Sequence, residues 1–128
     1  RRKYNQTDLV NIAAKYGFEE HDPSRLTLSE QAVLFASSEM IIGPSGAAWV
    51  GMIFRQDPAQ FLSWLPPECA QFSSYSSIAA MLDHKMGFLE TYQESVLNWT
   101  GDVYDGDYKL APEPFERAVQ HMTGPVLI

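Results

Sequence analysis

At 128 residues, with 45% apolar and 20% charged side chains, the chain has the length of one domain with one core and an ordinary globular composition. That excludes disordered, collagen-like and low-complexity classes, and no apolar run is long enough to cross a bilayer. A net charge of −7 and a pI near 4.8 argue against nucleic acid or anionic membrane as partners, since both are bound through basic surface. Positive charge gathers at Arg1, Arg2 and Lys3, where the chain opens without methionine and without a signal-peptide pattern, as a cut edge or processed end would. Cys69 is the single cysteine, so no intrachain disulfide is expected, and a reducing cytoplasm is the compartment that fits.

Helix and strand signals alternate along the chain. Asn5 is expected to cap a first helix with apolar positions Leu9, Val10, Ile12, Ala13 and Tyr16, closed by Gly17. Phe18 to His21 is a short strand candidate, stopped at Asp22-Pro23. Thr27-Leu28-Ser29-Glu30 is a capping box opening a second helix. Met40-Ile41-Ile42 is an all-apolar run that predicts a central parallel strand covered on both faces. Ser45 is expected to cap a third helix of small residues. Gln60 to Leu65 reads as a strand, Ser73 to Lys85 as a helix, Gly87 to Gln93 as a strand, and a last helix starts at Pro112 or Pro114. The alternation predicts a single α/β domain over 1–128, Rossmann-like, with an open parallel sheet and helices on both faces. A strand is expected before the first helix, outside this sequence.

The segment richest in chemistry is Met40 to Ala48, read as strand, glycine turn and helix. In open α/β sheets ligands sit beyond the C-terminal strand ends, and a helix start there offers N–H groups to an anion. Gly43 permits the turn, Gly46 allows close approach, and Ser45 can cap the helix or donate to a phosphate. The same Gly-x-x-Gly spacing also arises from turn geometry alone, and it lacks the features of a P-loop or a dinucleotide fingerprint. Glu30 reads equally as a capping-box partner and Gln31 as an exposed first-turn residue. Trp49, Trp64 and Trp99 are expected to pack, and His21, His84 and His121 to lie at the surface, with no metal-ligand spacing. Asp102, Asp105 and Asp107 resemble part of a calcium loop without its twelfth-position Glu. Asn5-Gln6-Thr7 and Asn98-Trp99-Thr100 are formal glycosylation sequons.

The ordered set Arg1-Arg2-x-x-Asn5, Gly17-Phe18, Pro23, Ser29-Glu30-Gln31, Phe35, Ile41 to Ala48 and Met52-Ile53-Phe54 resembles glycosyltransferase family 61, whose bacterial members are often labelled capsular polysaccharide biosynthesis proteins. The resemblance covers about residues 1–92. It implies the C-terminal, donor-binding half of a two-domain GT-B type enzyme. The partners it implies are a nucleotide-diphosphate sugar, a glycan or polysaccharide acceptor, and an N-terminal domain of the same chain. Carried over by position, Arg2, Glu30, Gln31, Gly43, Ser45, Gly46 and Ala47 line the donor site. No catalytic residue, metal or cofactor is assigned.

Three positions depart from the family pattern: Ser45 for a frequent His, Gly51 for the Asn before Met-x-Phe, and Ser63 or Trp64 where an acidic residue usually stands. These departures keep open a second expectation, a non-catalytic Rossmann-like scaffolding or interaction module with a decayed donor site.

Overall fold

A computed structural model of the chain describes residues 3–67, 74–92 and 107–123. Along the chain run α1 (Gln6–Ala14), a 3-10 turn (Pro23–Arg25), α2 (Leu28–Ser37) and β1 (Met40–Ile42). A second 3-10 helix (Ala47–Phe54), β2 (Gln60–Leu65), α3 (Ser74–Met81), β3 (Lys85–Glu90) and α4 (Pro112–Thr123) follow. The chain divides into two compact units. The first comprises Arg1–Glu20, Leu65–Ala70 and Leu89–Ile128; the second comprises His21–Trp64 and Gln71–Phe88.

The strands form one sheet in the order β1-β2-β3. β1 and β2 are parallel, with Met40 opposite Gln60, Ile41 opposite Phe61 and Ile42 opposite Leu62. Lys85 N donates to Ala59 O and Thr91 N to Leu65 O; the offset is the same at both ends, so β3 is parallel to β2 as well. The expected open parallel α/β sheet is therefore present. Its centre is different from the one the apolar pattern suggested. β2 has a neighbour on each side and is buried from Phe61 to Leu65. β1 is at the edge of the described sheet and only half-buried along its length, because it has a strand on one side alone.

The core of the second unit is built from Phe35, Trp49, Met52, Phe61 and Ala79. The segment after β1, expected as a helix begun by Ser45, is a 3-10 helix beginning at Ala47, with Gly46 at its N-cap and no side-chain cap bond. Its buried residues, Trp49 and Met52, are three apart, which is the repeat of a 3-10 helix, where positions i and i+3 eclipse. Phe35 packs edge-on to Trp49 and Phe61, with ring centroids 6.2 and 6.3 Å away. α2 carries the expected capping box: Glu30 N donates to Thr27 Oγ1 at 3.2 Å, and Thr27 N donates to Glu30 Oε2 at 2.7 Å.

Two helices end in the same backbone device. After α1, Phe18 N reaches Ala13 O and Gly17 N reaches Ala14 O, with Gly17 at φ 89°. After α3, His84 N reaches Ala79 O at 2.8 Å and Asp83 N reaches Ala80 O, with Asp83 at φ 60°. This is a Schellman arrangement, which needs a left-handed residue and usually takes glycine. Asp83→Gly is therefore expected to raise stability by about 0.5–1 kcal/mol, less than the full left-handed penalty because aspartate tolerates this region. Urea denaturation checks it, and a destabilised variant would contradict the account. The turn carries His84 inward, so it is buried at 5% exposure rather than on the surface. Its Nδ1 accepts from Ala59 N at 3.1 Å, its ring meets Phe61 edge-on, and its Nε2 is buried without a hydrogen-bond partner. β3 consequently begins at Lys85, earlier than the sequence signals indicated. The strand expected at 18–21 does not form: Gly17 turns the chain and Asp22 accepts from Ser24 N to start the 3-10 turn.

In the first unit, Asn5 precedes α1 but its side chain makes no cap bond. Instead Asn5 Nδ2 donates to Leu110 O at 2.8 Å and Asn5 Oδ1 accepts from Leu110 N at 3.0 Å. Lys3 N donates to Asp107 Oδ1, Tyr108 N donates to Lys3 O, and Tyr4 stacks on Tyr108 with centroids 5.1 Å apart. On its other side this segment forms an antiparallel bridge, Tyr92 to Lys109. α4 opens at Pro112, as expected, and buries Phe115 and Val119. Glu116 joins it to α1, accepting from Lys15 Nζ and from the Tyr16 hydroxyl, both at 2.9 Å. Those two hydrogen bonds, Lys15 first, hold the Glu116 carboxyl below the usual carboxylate range.

Candidate functional site: the turn after β1

The candidate site is assembled by β2. Beyond the end of β1, Gly43 N donates to Leu62 O at 3.0 Å and Ser45 N to Trp64 O at 3.2 Å. The ladder thus continues through the glycine turn, and both amides are spent on it. The indole N–H of Trp49 closes the turn from the other side, donating to Pro44 O at 3.0 Å and to Ser63 Oγ at 3.2 Å. Gly43 sits close to that indole: a Cβ there would lie 4.0 Å from Trp49 Cζ2.

The next three amides are different. Among the described residues, Gly46, Ala47 and Ala48 have no partner for their N–H groups, and the Ser45 hydroxyl has none either. The first amides of any helix lack intrahelical acceptors, so these are donors available to an incoming anion. Gly46 has φ 170° and ψ 174°, an extended backbone open to any residue, and a Cβ built on it meets nothing within 4 Å. Its small size leaves space in front of the amides; no turn or packed neighbour demands glycine there.

Glu30 and Gln31 belong to the first turn of α2. Ala36, near the other end of α2, accepts from Arg55 Nη1 at 2.8 Å, and Arg55 Nε donates to Asp57 O. That ties the C-terminal end of α2 to the chain entering β2. The Glu30 carboxylate is committed to the capping box through Oε2. Gln31 Nε2 donates to Pro23 O at 3.0 Å and to Leu26 O at 3.2 Å, holding the preceding 3-10 turn. Both side chains thus organise the start of α2. Arg2, Cys69, Trp99, Asn98, Asp102 and Asp105 lie outside the described residues.

Two of the three departures from the family pattern, at Gly51 and at Ser63 or Trp64, have packing explanations. A Cβ on Gly51 would sit 2.5 Å from Phe35 Cδ2 and 2.6 Å from Cε2, so the glycine makes room for that ring. Ser63 is fully buried and receives the Trp49 indole proton. Trp64 is 5% exposed. Neither stands on an open surface where a carboxylate could meet a sugar hydroxyl. Trp49 packs, as its sequence context suggested, but its polar handle on the turn was not legible from the sequence. Asp107 accepts from the Lys3 backbone. No group of three or more His, Cys, Asp or Glu suited to a metal ion occurs among the described residues, and none of their helices is long and apolar enough to cross a membrane.

The fold and this turn define an α/β protein with unspent backbone donors at a strand's C-terminal end. The model of the family Glycosyltransferase 61 matches residues 1–62 of the 128, just under half of the chain. Over those residues the chain is similar to that glycosyltransferase family. The match spans α1, α2, β1, the 3-10 helix and the start of β2. It therefore includes the whole Gly43–Ala48 turn and stops just before Ser63. No curated protein and no solved structure matches the chain.

Proposed function

We propose that this chain belongs to glycosyltransferase family 61 and is the nucleotide-sugar-binding domain of a GT-B type enzyme that builds a polysaccharide or glycan in the cytoplasm. The observation that carries the reading is the set of unspent donors, the amides of Gly46, Ala47 and Ala48 with the Ser45 hydroxyl, inside the segment matched by the family. A diphosphate docked there gains hydrogen bonds and a favourable field from the helix start. The same donors stabilise the charge that develops on the nucleotide as the sugar leaves. Gly43 shapes the approach, Glu30 and Gln31 hold the adjoining α2 start, and Arg2 is assigned to the donor phosphates by the resemblance alone. Acceptor binding and sugar transfer belong, on this reading, to the two-domain enzyme, with the domain described here binding donor without transferring it.

Calorimetry with a panel of nucleoside diphosphates tests this on the wild type and on Gly46→Val. Extended backbone and open space make valine tolerable, so stability is expected to change by no more than about 0.5 kcal/mol. Its branched side chain covers the amides, and affinity is expected to fall at least roughly tenfold, or about 1.4 kcal/mol. Equal binding by both proteins places the phosphate elsewhere. A wild type that binds none of the panel leaves the scaffolding or interaction module as the reading.

A further inference from the structure

The amides of Gly46 to Ala48 are useful to an anion only if the peptide before them is held still. The Pro44–Ser45 peptide is gripped at both ends. In a trans peptide the C=O and N–H point in opposite directions; here the Pro44 carbonyl accepts from the Trp49 indole at 3.0 Å, and the Ser45 N–H donates to Trp64 O at 3.2 Å. One residue earlier, Gly43 N is fixed on Leu62 O. The indole N–H that holds Pro44 is itself shared with Ser63 Oγ at 3.2 Å. Three consecutive residues of β2, Leu62, Ser63 and Trp64, therefore address the turn in succession. The middle one does so through a side chain that is fully buried.

Trp49 has a second anchor, its ring. It is 3% exposed, lies 5.4 Å from the Phe61 centroid and meets Phe35 edge-on. The ring cannot swing away without opening the core of the unit, so the direction of its N–H is set by packing rather than by the hydrogen bonds it makes. A buried polar contact whose geometry is fixed by an apolar ring is a means of positioning backbone, because the donor is already oriented before the acceptor arrives.

We propose that Trp49 and Ser63 are positioning residues for phosphate binding. On this account their shared indole hydrogen bond orients the Pro44–Ser45 peptide so that the amides of Gly46, Ala47 and Ala48 converge on one anion. The inference rests on the donor-site reading given above and adds to it two residues that do not touch the ligand.

The test uses Trp49→Phe, which keeps an aromatic ring and removes the donor, and Ser63→Ala, which removes the second acceptor. Val119→Ala, a change at a fully buried residue of the first unit, serves as the control for stability loss. The probes are inorganic pyrophosphate and uridine diphosphate, titrated while the backbone amide resonances of Gly46, Ala47 and Ala48 are followed. Pyrophosphate is expected to shift those three resonances in the wild type. Trp49→Phe is expected to bind both probes roughly five- to tenfold more weakly, the loss typical of one hydrogen bond, and to speed hydrogen exchange at the Gly43 and Ser45 amides, which are bonded to Leu62 O and Trp64 O. Ser63→Ala is expected to do the same to a smaller degree, while Val119→Ala lowers the melting temperature without changing probe affinity. If the wild type binds and both variants bind as it does, Trp49 and Ser63 are ordinary core residues and the donor site stands without them. If weakening in Trp49→Phe is matched by Val119→Ala at equal loss of stability, the role is structural only. If pyrophosphate leaves the three wild-type resonances unmoved, the donor-site reading fails and this inference with it.

Discussion

Gly51→Ala is expected to destabilise the second unit by about 2 kcal/mol, a large effect for the addition of one methyl group. Two opposing terms decide the sign. Alanine in place of a helical glycine gains roughly 0.5–1 kcal/mol from reduced freedom of the unfolded chain. Against that stands a Cβ 2.5, 2.6 and 3.0 Å from three atoms of the Phe35 ring, where ordinary carbon contacts lie near 3.5–4.0 Å. Relief requires about an ångström of movement from a ring that is 5% exposed and packed edge-on to Trp49 and Phe61. The steric term therefore wins. Asparagine, which the resemblance puts at this position, adds three further heavy atoms and an amide needing partners, and is expected to be worse than alanine. Urea denaturation of Gly51→Ala, Phe35→Leu and the double variant isolates the cause: the double variant should be more stable than the sum of the singles predicts. Strict additivity, or a loss under about 0.5 kcal/mol for Gly51→Ala, would contradict the clash. The result also bears on function, because a glycine required by packing is not a sign that the donor site has decayed.

What the sequence revealed and what it hid divide along the range of the interactions. The capping box of α2 was legible because Thr27 and Glu30 are three residues apart and need only each other. The strand and glycine turn at Met40 to Gly46 and the start of α4 at Pro112 were legible for the same reason. The form of the helix after the turn was hidden, because its 3-10 winding follows from burying Trp49 and Met52 against a core that the local pattern does not display. The exchange of central and edge roles between β2 and β1 was hidden too, since apolar runs announce strands but not their neighbours. Asp83 occupies a left-handed position that only a glycine would have signalled. At the candidate site, Gly43, Ser45, Gly46 and Ala47 were legible as a turn. Which of their amides are spent depends on Leu62 and Trp64, and that partnership exists only after β1 and β2 pair. Glu30 and Gln31 were named for a ligand, and the structure gives each a local partner at the start of α2.

Asn5→Ala is expected to cost the first unit about 2–4 kcal/mol. The side chain bridges both backbone groups of Leu110, 105 residues away, at 2.8 and 3.0 Å. Leu110 is 1% exposed, so removing the amide leaves a donor and an acceptor without partners where water has little access, at roughly 1–3 kcal/mol each. Asn5 is itself only half-buried, and some water entry keeps the sum below the upper limit. The segment it holds, 107–110, is the one that also pairs with Lys3 and bridges to Tyr92, so the loss should loosen contacts on both of its sides. The alternative account of Asn5, a helix cap for α1, makes an opposite prediction for one conservative variant. Serine caps a helix about as well as asparagine, so on that account Asn5→Ser should be nearly as stable as the wild type. Serine has a single hydroxyl on a shorter side chain and cannot serve both groups of Leu110, so the clamp predicts a loss close to that of alanine. Chemical denaturation of the two variants side by side decides it, with hydrogen exchange at the Leu110 amide as the local readout: faster exchange in both marks the clamp, and wild-type protection in Asn5→Ser marks the cap.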